Sequence, residues 1–465
     1  MLTYDLTDHG KTPMYEYLYQ LIREDILSGR LKKDEKLPSK RTLAEHLSVS
    51  KITVENAYAQ LLAEGYIYSK EKKGYFAEDM GSFDHRVAKE REKGKETQMG
   101  KAELLLADFT QNNISESCFP YAAWAKTMRR VIMDEPFVHP APYAGLLSLR
   151  QAIGDYLYRF RGMRVSPDEI VIGAGTEYLY HLIIQLLGRE LCYAVEDPGY
   201  RKVQRVFAAN GVKTENIALD ESGVRPDALA CSGAQVLHIS PSHHFPTGIV
   251  TPAKRRMELL QWAAEGEDRY ILEDDYDCEF RFAGKPIPTL QSIDHHGRVI
   301  YMNTFSKSLS PSMRISYMIL PRALMERFAQ KLSFYACTVP VLEQSALADF
   351  IAAGQFEKHL NRAKKYYRNL CAALRGALAA SALKDKVKIL GAEAGLHFLL
   401  QVESELTDRD LAARLEKQGI RARLLRDYYS AWDSDEESRC LVINYDSIQP
   451  EKVGEIVRAM ERAIG

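Results

Sequence analysis

The stretch Asn303-Thr304-Phe305-Ser306-Lys307-Ser308-Leu309-Ser310-Pro311-Ser312-Met313-Arg314 decides how this chain is read. A lysine flanked by small hydroxyl residues, with an arginine seven positions on, can form a Schiff base to an aldehyde while hydroxyl and guanidinium groups hold a phosphate. In isolation the run is equally a solvated Lys and Arg in a Ser-rich loop. Other segments of the chain decide between the two.

Working outward, Ile271-Leu272-Glu273-Asp274-Asp275-Tyr276 is a short apolar strand ending in carboxylates and a phenol. Such groups keep a pyridinium nitrogen protonated and hydrogen-bond a ring oxygen, and a protonated ring is an electron sink. Ile170-Val171-Ile172-Gly173-Ala174-Gly175-Thr176-Glu177 runs from an apolar strand into a glycine turn and then a helix through Leu179, Leu182, Ile183 and Leu186. The first amides of that helix can cradle a phosphate, although the same pattern serves as an ordinary structural turn. Glu196-Asp197-Pro198-Gly199-Tyr200 offers an aromatic ring to stack on a flat ligand, and Lys202 follows it as a cation for a ligand carboxylate. Pro241-Ser242-His243-His244-Phe245-Pro246-Thr247-Gly248 is a turn with two imidazoles. Neighbours on a strand point to opposite faces and no third residue has ligand spacing, so no metal site is expected. These segments suit an open α/β sheet with ligand-binding loops at its strand ends.

At 465 residues the chain is too long for one core. Lys plus Arg number 62 and Asp plus Glu 63, so any surface for nucleic acid must be local rather than global. The seven cysteines are scattered, odd in number and without a C-x-x-C spacing, which disfavours a disulfide framework and a zinc site and points to a reducing cytoplasm. The polar, acidic start and the lack of an 18-residue apolar run predict neither secretion nor membrane insertion. Within 81–103 the run Asp84 to Glu96 is almost purely charged and too poor in apolar residues for a core face, so it reads as a solvated linker. It separates a head, 1–80, from a body, 104–465.

In the head, Tyr15, Leu18, Tyr19, Ile22 and Ile26 recur at helical spacing up to Gly29. Ser39 can cap a second helix carrying Leu43, Ala44 and Leu47, and Ser50 a third carrying Val54, Ala57, Tyr58, Leu61 and Leu62. Two helices joined this tightly form a helix-turn-helix. Tyr66-Ile67-Tyr68 and Tyr75-Phe76 flank the basic tip Lys70-Glu71-Lys72-Lys73-Gly74 and predict a β-hairpin wing. Lys40, Arg41 and Lys51 at the starts of helices two and three, with Lys72 and Lys73 at the wing, concentrate charge where a duplex would lie. Ser50, Lys51, Ile52 and Thr53 would face base edges or phosphates. The competing reading is a three-helix protein-interaction module.

The head resembles the GntR type of winged helix through Leu37-Pro38-Ser39-Lys40-Arg41-Thr42-Leu43-Ala44, Val49-Ser50-Lys51-Ile52-Thr53-Val54, Ala57-Tyr58 and Leu61-Leu62-Ala63-Glu64-Gly65-Tyr66. Lys51 stands where that type commonly has arginine, which keeps the charge but loses the bidentate fork to guanine. The body, over roughly Leu104 to Ile464, resembles the fold type I aminotransferases, a large mixed-sheet α/β domain with a smaller α+β C-terminal subdomain. That resemblance implies pyridoxal 5'-phosphate on Lys307, with Asp274 at the ring nitrogen, Tyr276 at the ring oxygen and Tyr200 stacked on the ring. It puts Gly175, Thr176, Ser306 and Arg314 at the phosphate, with Glu177 in the same turn. Arg439, ahead of a C-terminal strand, stands where such enzymes present a carboxylate-binding arginine. His244, Phe245 and Ser316 depart from the pattern, which has Gln, commonly Asn, and Gly there.

Head and body together resemble the MocR/GabR family of transcription regulators. The resemblance implies a head-to-tail homodimer in the cytoplasm that binds a double-stranded operator and senses an amine or amino acid by aldimine exchange at Lys307. Two alternatives remain open: a working aminotransferase with an autoregulatory head, or a regulator of vitamin B6 metabolism that senses the cofactor itself.

Overall fold

The computed structural model describes residues 2–6, 10, 12–79, 105–111, 114–134, 139–282, 287–432 and 437–465. The linker expected over 81–103 lies outside them. The chain divides into two compact units, Met1–Glu103 and Leu104–Gly465.

Among its described residues the first unit has three helices, α1 (Met14–Leu27), α2 (Lys40–Leu47) and α3 (Lys51–Ala63), followed by a hairpin of β1 (Ile67–Lys70) and β2 (Gly74–Ala77). Ser39 and Ser50 cap α2 and α3, each hydroxyl accepting a backbone N–H, from Thr42 and Thr53 respectively, at 3.1 Å. Ser48 takes a left-handed φ of 54°, which lets the chain reverse between the two helices. Leu18, Ile22, Leu43, Val54, Tyr58, Leu61 and Ile67 share one core. Tyr15 and Leu62, which the periodicity assigns to the inner faces, are largely exposed.

The second unit is built on an eight-stranded sheet. Its order is β4 (Ile170–Gly173), β11 (Ser316–Ile319), β10 (Val299–Thr304), β9 (Tyr270–Asp274), β8 (Val236–Ile239), β5 (Tyr193–Asp197), β6 (Thr214–Asp220) and β7 (Gly223–Val224). From β10 to β6 all pairs are parallel, whereas β11 runs antiparallel between β10 and β4. Both faces of the sheet are covered, so its central strands are near-continuous apolar runs. Successive residues serve two cores: Val171, Ile300, Met302 and Met318 enter one, and Ile170, Ile172, Tyr301, Tyr317 and Ile319 the other.

A smaller antiparallel sheet has the order β12 (Val387–Leu390), β13 (His397–Val402), β16 (Cys440–Asn444) and β15 (Arg423–Leu424). It packs a third core with the helices Gln355–Ala379 and Val453–Ile464, around Phe398, Leu400, Ile443 and Tyr445. A short parallel pair, β3 (Ala107–Asp108) with β14 (Ile420–Arg421), ties the start of the unit to this core. The architecture is the expected one, a winged helix-turn-helix and a large mixed-sheet α/β body with a smaller α+β part.

Candidate functional site

The carboxyl ends of β5, β8, β9 and β10 lie along one edge of the large sheet, which is where open α/β sheets bind ligands. There a cavity of about 260 Å³ is walled by Thr176, Tyr200, Asp274, Tyr276, Ser306, Lys307 and Arg314 among others, with His397 and Asn444 contributed by the smaller sheet. Residues spread over 139 positions of sequence therefore converge, from Thr176 to Arg314 on the large sheet's loops alone.

Lys307 sits in a one-turn helix, Phe305–Ser308, directly after β10. Thr304 caps that turn by accepting the Ser306 N–H at 3.1 Å, and its hydroxyl also receives the Ser316 hydroxyl at 2.8 Å. The serine at 316, where the resembling enzymes have glycine, is thus accommodated by a buried hydrogen bond. Lys307 is buried, and its Nζ donates to Asp446 Oδ2 at 2.5 Å. Burial pushes the Asp446 carboxyl up, and the Lys307 ammonium opposes that shift.

At the inner end, Asp274 Oδ2 accepts the Tyr180 hydroxyl at 2.9 Å and lies 3.6 Å from His238 Nε2, while Tyr180 also meets His238 at 2.8 Å. Asp274 Oδ1 is buried without a hydrogen-bond partner. An orphaned carboxylate oxygen on a cavity wall is the acceptor a ring N–H requires. The next residue, Asp275, points the other way into a buried pair with Arg161 at 2.8 Å.

The mouth of the cavity carries the cations. Gly175 precedes the helix Thr176–Leu187 with φ 92°, and a Cβ there would collide with the Arg314 guanidinium. Arg314 itself holds a left-handed φ of 52° and donates to Glu177 Oε2 at 2.5 Å. Lys202 Nζ donates to Glu177 Oε1. Burial raises the Glu177 carboxyl, but hydrogen bonds from Lys202 and Arg314 outweigh it and hold the group down at about 2. Glu177, grouped by sequence with the phosphate ligands, is therefore bound to the cations rather than placed as a donor.

Tyr276 lines the cavity with its hydroxyl 3.5 Å from His243 Nδ1, and burial pushes that phenol well up. Tyr200 meets Phe245 edge-on at 5.7 Å, and Phe245 packs likewise against His397 and Tyr428. The paired imidazoles of the His243-His244 turn do face apart. His243 Nδ1 meets Asp277 Oδ2 at 2.7 Å, whereas His244 Nδ1 meets Thr247 at 2.7 Å. Burial and the neighbouring imidazoles hold His244 down at about 3, and burial pushes the adjacent Glu196 up to about 8. His243, Asp277 and His397 bring ligand-type atoms within 4.8 Å of one another, a juxtaposition that sequence spacing did not reveal. His397 is buried and held well below its ordinary value.

Arg439 is not brought to the cavity. It precedes β16, whose far end, Asn444, pairs with His397 at the cavity. Five strand residues at about 3.3 Å each put the two ends roughly 16 Å apart. Its Nε donates to the Leu406 carbonyl at 3.0 Å and its N–H to Asp408 at 2.7 Å, so Arg439 fixes the start of the strand. The expectation that it holds an effector carboxylate is corrected. Of the two cations expected for that role only Lys202 lines the cavity, while Arg423 on β15 lies close enough to Tyr200 and Tyr428 to oppose the upward shift of both phenols. Asp446, His238 and Arg423 escaped sequence reading because each reaches the site from a segment without a motif, whereas Tyr180 lies in the helix after Gly175 and His397 in the aminotransferase-like run Gly395-Leu396-His397, neither with a role assigned from sequence.

In the head, Lys51 and Ile52 open α3 exposed, with Ile52 at 67% exposure, and Ser50 and Thr53 are bound in the cap. Lys40 and Lys51 face Glu55 at 3.6 and 3.9 Å, and Arg41 pairs with Glu45 at 2.9 Å. Lys72, with φ 58°, and Lys73 stand exposed at the hairpin tip.

Fold and site together define an aminotransferase-type body joined to a winged helix-turn-helix. Residues 107–459 match the family Aminotransferase class I and II, and residues 14–76 match Bacterial regulatory proteins, gntR family. The chain belongs to the MocR/GabR-type family of helix-turn-helix regulators. It is 39% identical over 413 residues to the uncharacterized HTH-type transcriptional regulator YdeL of Bacillus subtilis, covering 88% of each chain. It is 29% identical to the probable rhizopine catabolism regulatory protein MocR of Rhizobium meliloti, over 97% of this chain and 94% of that one. The pyridoxine biosynthesis regulator PdxR of Corynebacterium glutamicum is also 29% identical, with 92% of both chains covered. Among solved structures, an archaeal alanine:glyoxylate aminotransferase superposes with a TM-score of 0.69 at 21% identity, covering 82% of this chain and 93% of that one. The kynurenine aminotransferase of Pyrococcus horikoshii gives 0.68 at 22%, covering 86% and 97%. These likenesses establish the fold of the body. The cofactor of that fold is pyridoxal 5'-phosphate, and the orphaned Asp274 oxygen, the buried Lys307 amine and the cationic mouth fit it. Among the described residues no helix is long and apolar enough to cross a membrane.

Proposed function

We propose that the protein is a pyridoxal-phosphate-dependent regulator of transcription that binds DNA through its head and senses an amine or amino acid at Lys307. The observation that carries this reading is the convergence of Lys307, the unpartnered Asp274 Oδ1 and Arg314 on one cavity, in a chain that also carries a gntR-type helix-turn-helix. When bound, the cofactor supplies an aldehyde that condenses with amines and a ring that withdraws electrons.

The residues divide the work. Lys307 offers the buried amine, and Asp446 holds it in place at 2.5 Å. Asp274 Oδ1 would accept the ring N–H, with the carboxylate oriented by Tyr180 and His238 behind it. Arg314, Ser306, Thr176 and the backbone at Gly175 would hold the phosphate, Tyr200 would cover the ring and Tyr276 would serve its oxygen, all from the wall of one cavity or, for Gly175, against Arg314. Lys202, and Arg423 beside Tyr200, are the cations available to an effector carboxylate. In the head, Lys40, Arg41, Lys72 and Lys73 contact phosphates, and Ser50, Lys51 and Thr53 present the start of α3 to the major groove. Two copies, head to tail, present two heads to two half-sites of an operator in the cytoplasm. An effector acts by its differential affinity for two arrangements of that dimer.

Titration of the cofactor-loaded protein with a panel of amines and amino acids, read by visible absorption and by operator binding, tests the proposal. One compound should shift both signals. Sustained turnover of amino donors with keto acids would instead identify a working aminotransferase. A second reading, in which the cofactor itself is the signal, is favoured by the hold of Glu177 on Arg314 and Lys202, and there DNA affinity changes on adding cofactor alone.

A further inference from the structure

Both cations at the mouth of the cavity already serve one carboxylate. Glu177 accepts from Arg314 Nη2 at 2.5 Å, from Lys202 Nζ, and from its own backbone N–H in the first turn of the helix Thr176–Leu187. A helix N-terminus flanked by an arginine and a lysine is an anion site, and here the anion is built into the chain. The space is tight: a Cβ on Gly175 would meet the Arg314 guanidinium, and Glu177 Oε2 at 3.0 Å. The other cation on the cavity wall, Lys307, is committed to Asp446 at the buried end.

We propose that Glu177 is an internal counter-ion that occupies the phosphate subsite and must be expelled by the phosphate of the incoming cofactor, which makes cofactor occupancy weaker and more readily reversed than the remaining residues would give. This rests on the cofactor reading above. A phosphate monoester carries roughly two negative charges at neutral pH, and placing it against the Glu177 carboxylate in a half-buried site is a like-charge contact. The carboxylate has an exit, because its side chain is 30% exposed and the helix start faces the mouth. Its departure also frees the Lys202 ammonium, on the rim with Tyr200, for a second anionic ligand. Phosphate binding thereby arms the position that would meet an effector carboxylate.

The test compares wild type, Glu177→Gln and Glu177→Ala by equilibrium dialysis against pyridoxal 5'-phosphate, phosphate-free pyridoxal and, as competitor, inorganic phosphate. Removal of the competing charge should tighten pyridoxal 5'-phosphate binding about tenfold in both variants, the scale of one charge-assisted hydrogen-bond exchange, and leave pyridoxal within about twofold. Inorganic phosphate should compete at correspondingly lower concentration. Unchanged or weaker binding of the phosphorylated cofactor in both variants overturns the inference and leaves the cofactor reading standing. A gain in Glu177→Ala alone also overturns it, since that assigns the effect to bulk. No saturable binding of either aldehyde to any of the three proteins overturns the cofactor reading and this inference with it.

Discussion

Lys307, just beyond β10 of the large sheet and on the cavity wall, and Asp446, just beyond β16 of the smaller one, form a buried pair, Nζ to Oδ2 at 2.5 Å. Removal of one partner leaves the other without compensation. Lys307→Ala should abolish the visible absorbance gained with pyridoxal 5'-phosphate and cost about 3 kcal/mol of stability, because a buried carboxylate has lost its counter-charge. Adding Asp446→Asn should recover much of the stability and none of the absorbance. Denaturant unfolding and a spectrum on the single and double variants separate the two roles.

The neighbours Asp274 and Asp275 should respond in opposite ways. Asp274→Ala removes the acceptor with a free oxygen and should weaken cofactor retention by roughly tenfold to a hundredfold, the worth of a charge-assisted hydrogen bond. Asp275→Asn breaks the buried pair with Arg161 and should lower the melting temperature while leaving cofactor affinity close to wild type. Dialysis and thermal melts on both variants check the contrast.

Glu196 gives the protein a pH dependence of definite sign. Its carboxyl is raised to about 8 in the folded chain from an ordinary 4.5, so its contribution to stability is full below pH 4.5 and is lost as pH rises towards 8. His244, lowered to about 3 from 6.5, acts in the opposite sense but only between those two values. Burial also raises Glu273 and Glu279 to about 7, so they add to the fall below that value, and between pH 7 and 8 the Glu196 effect has a limiting slope of about 1.4 kcal/mol per pH unit. Glu196→Gln should flatten this fall in unfolding free energy. An unchanged slope in the variant would remove Glu196 from the account.

In the head, Lys51→Ala should weaken operator binding and reduce the dependence of log K on log salt by about 0.9, the release of one phosphate contact's counterion. The existing pair with Glu55 at 3.9 Å is partly exposed and offers little competition. Fluorescence anisotropy at several salt concentrations measures the slope.

Arg439→Ala should lower stability by about 1 kcal/mol through the lost bond to Leu406 and leave cofactor binding and effector response intact. A selective loss of response to carboxylate-bearing effectors, with unfolding unchanged, would contradict the placement found here.

Much of this was legible before the structure. The caps at Ser39 and Ser50, the hairpin and the strand-to-turn segments leading to Gly175, Asp274 and Lys307 are local patterns, and local patterns are what sequence carries. The misreading of Arg439 has a physical cause: a strand has two ends, and composition does not say which of them meets the ligand. Glu177 was grouped with its neighbours by proximity, although a carboxylate repels phosphate, because only the folded chain sets Arg314 and Lys202 against it. His397, in the run Gly395-Leu396-His397, is carried to the cavity by pairing of β13 with β16, and Asp446 reaches Lys307 from just beyond β16, a contact between distant segments with no signature at Asp446. Tyr15 and Leu62 carry the right period, yet the core is satisfied without them.

The cavity lies where two separately packed bodies of side chains meet, and its walls are drawn from both. Packing of Phe398, Leu400 and Ile443 on one side, with Leu396 at the cavity, is complete without Leu182, Ile300 and Met302 on the other, with Tyr180 and Val203 at the cavity. A small molecule lodged between them would act as a wedge at a joint, shifting the angle of that joint without melting either side. On the function proposed above, recognition at one side chain would thus be read as a change of shape of the body.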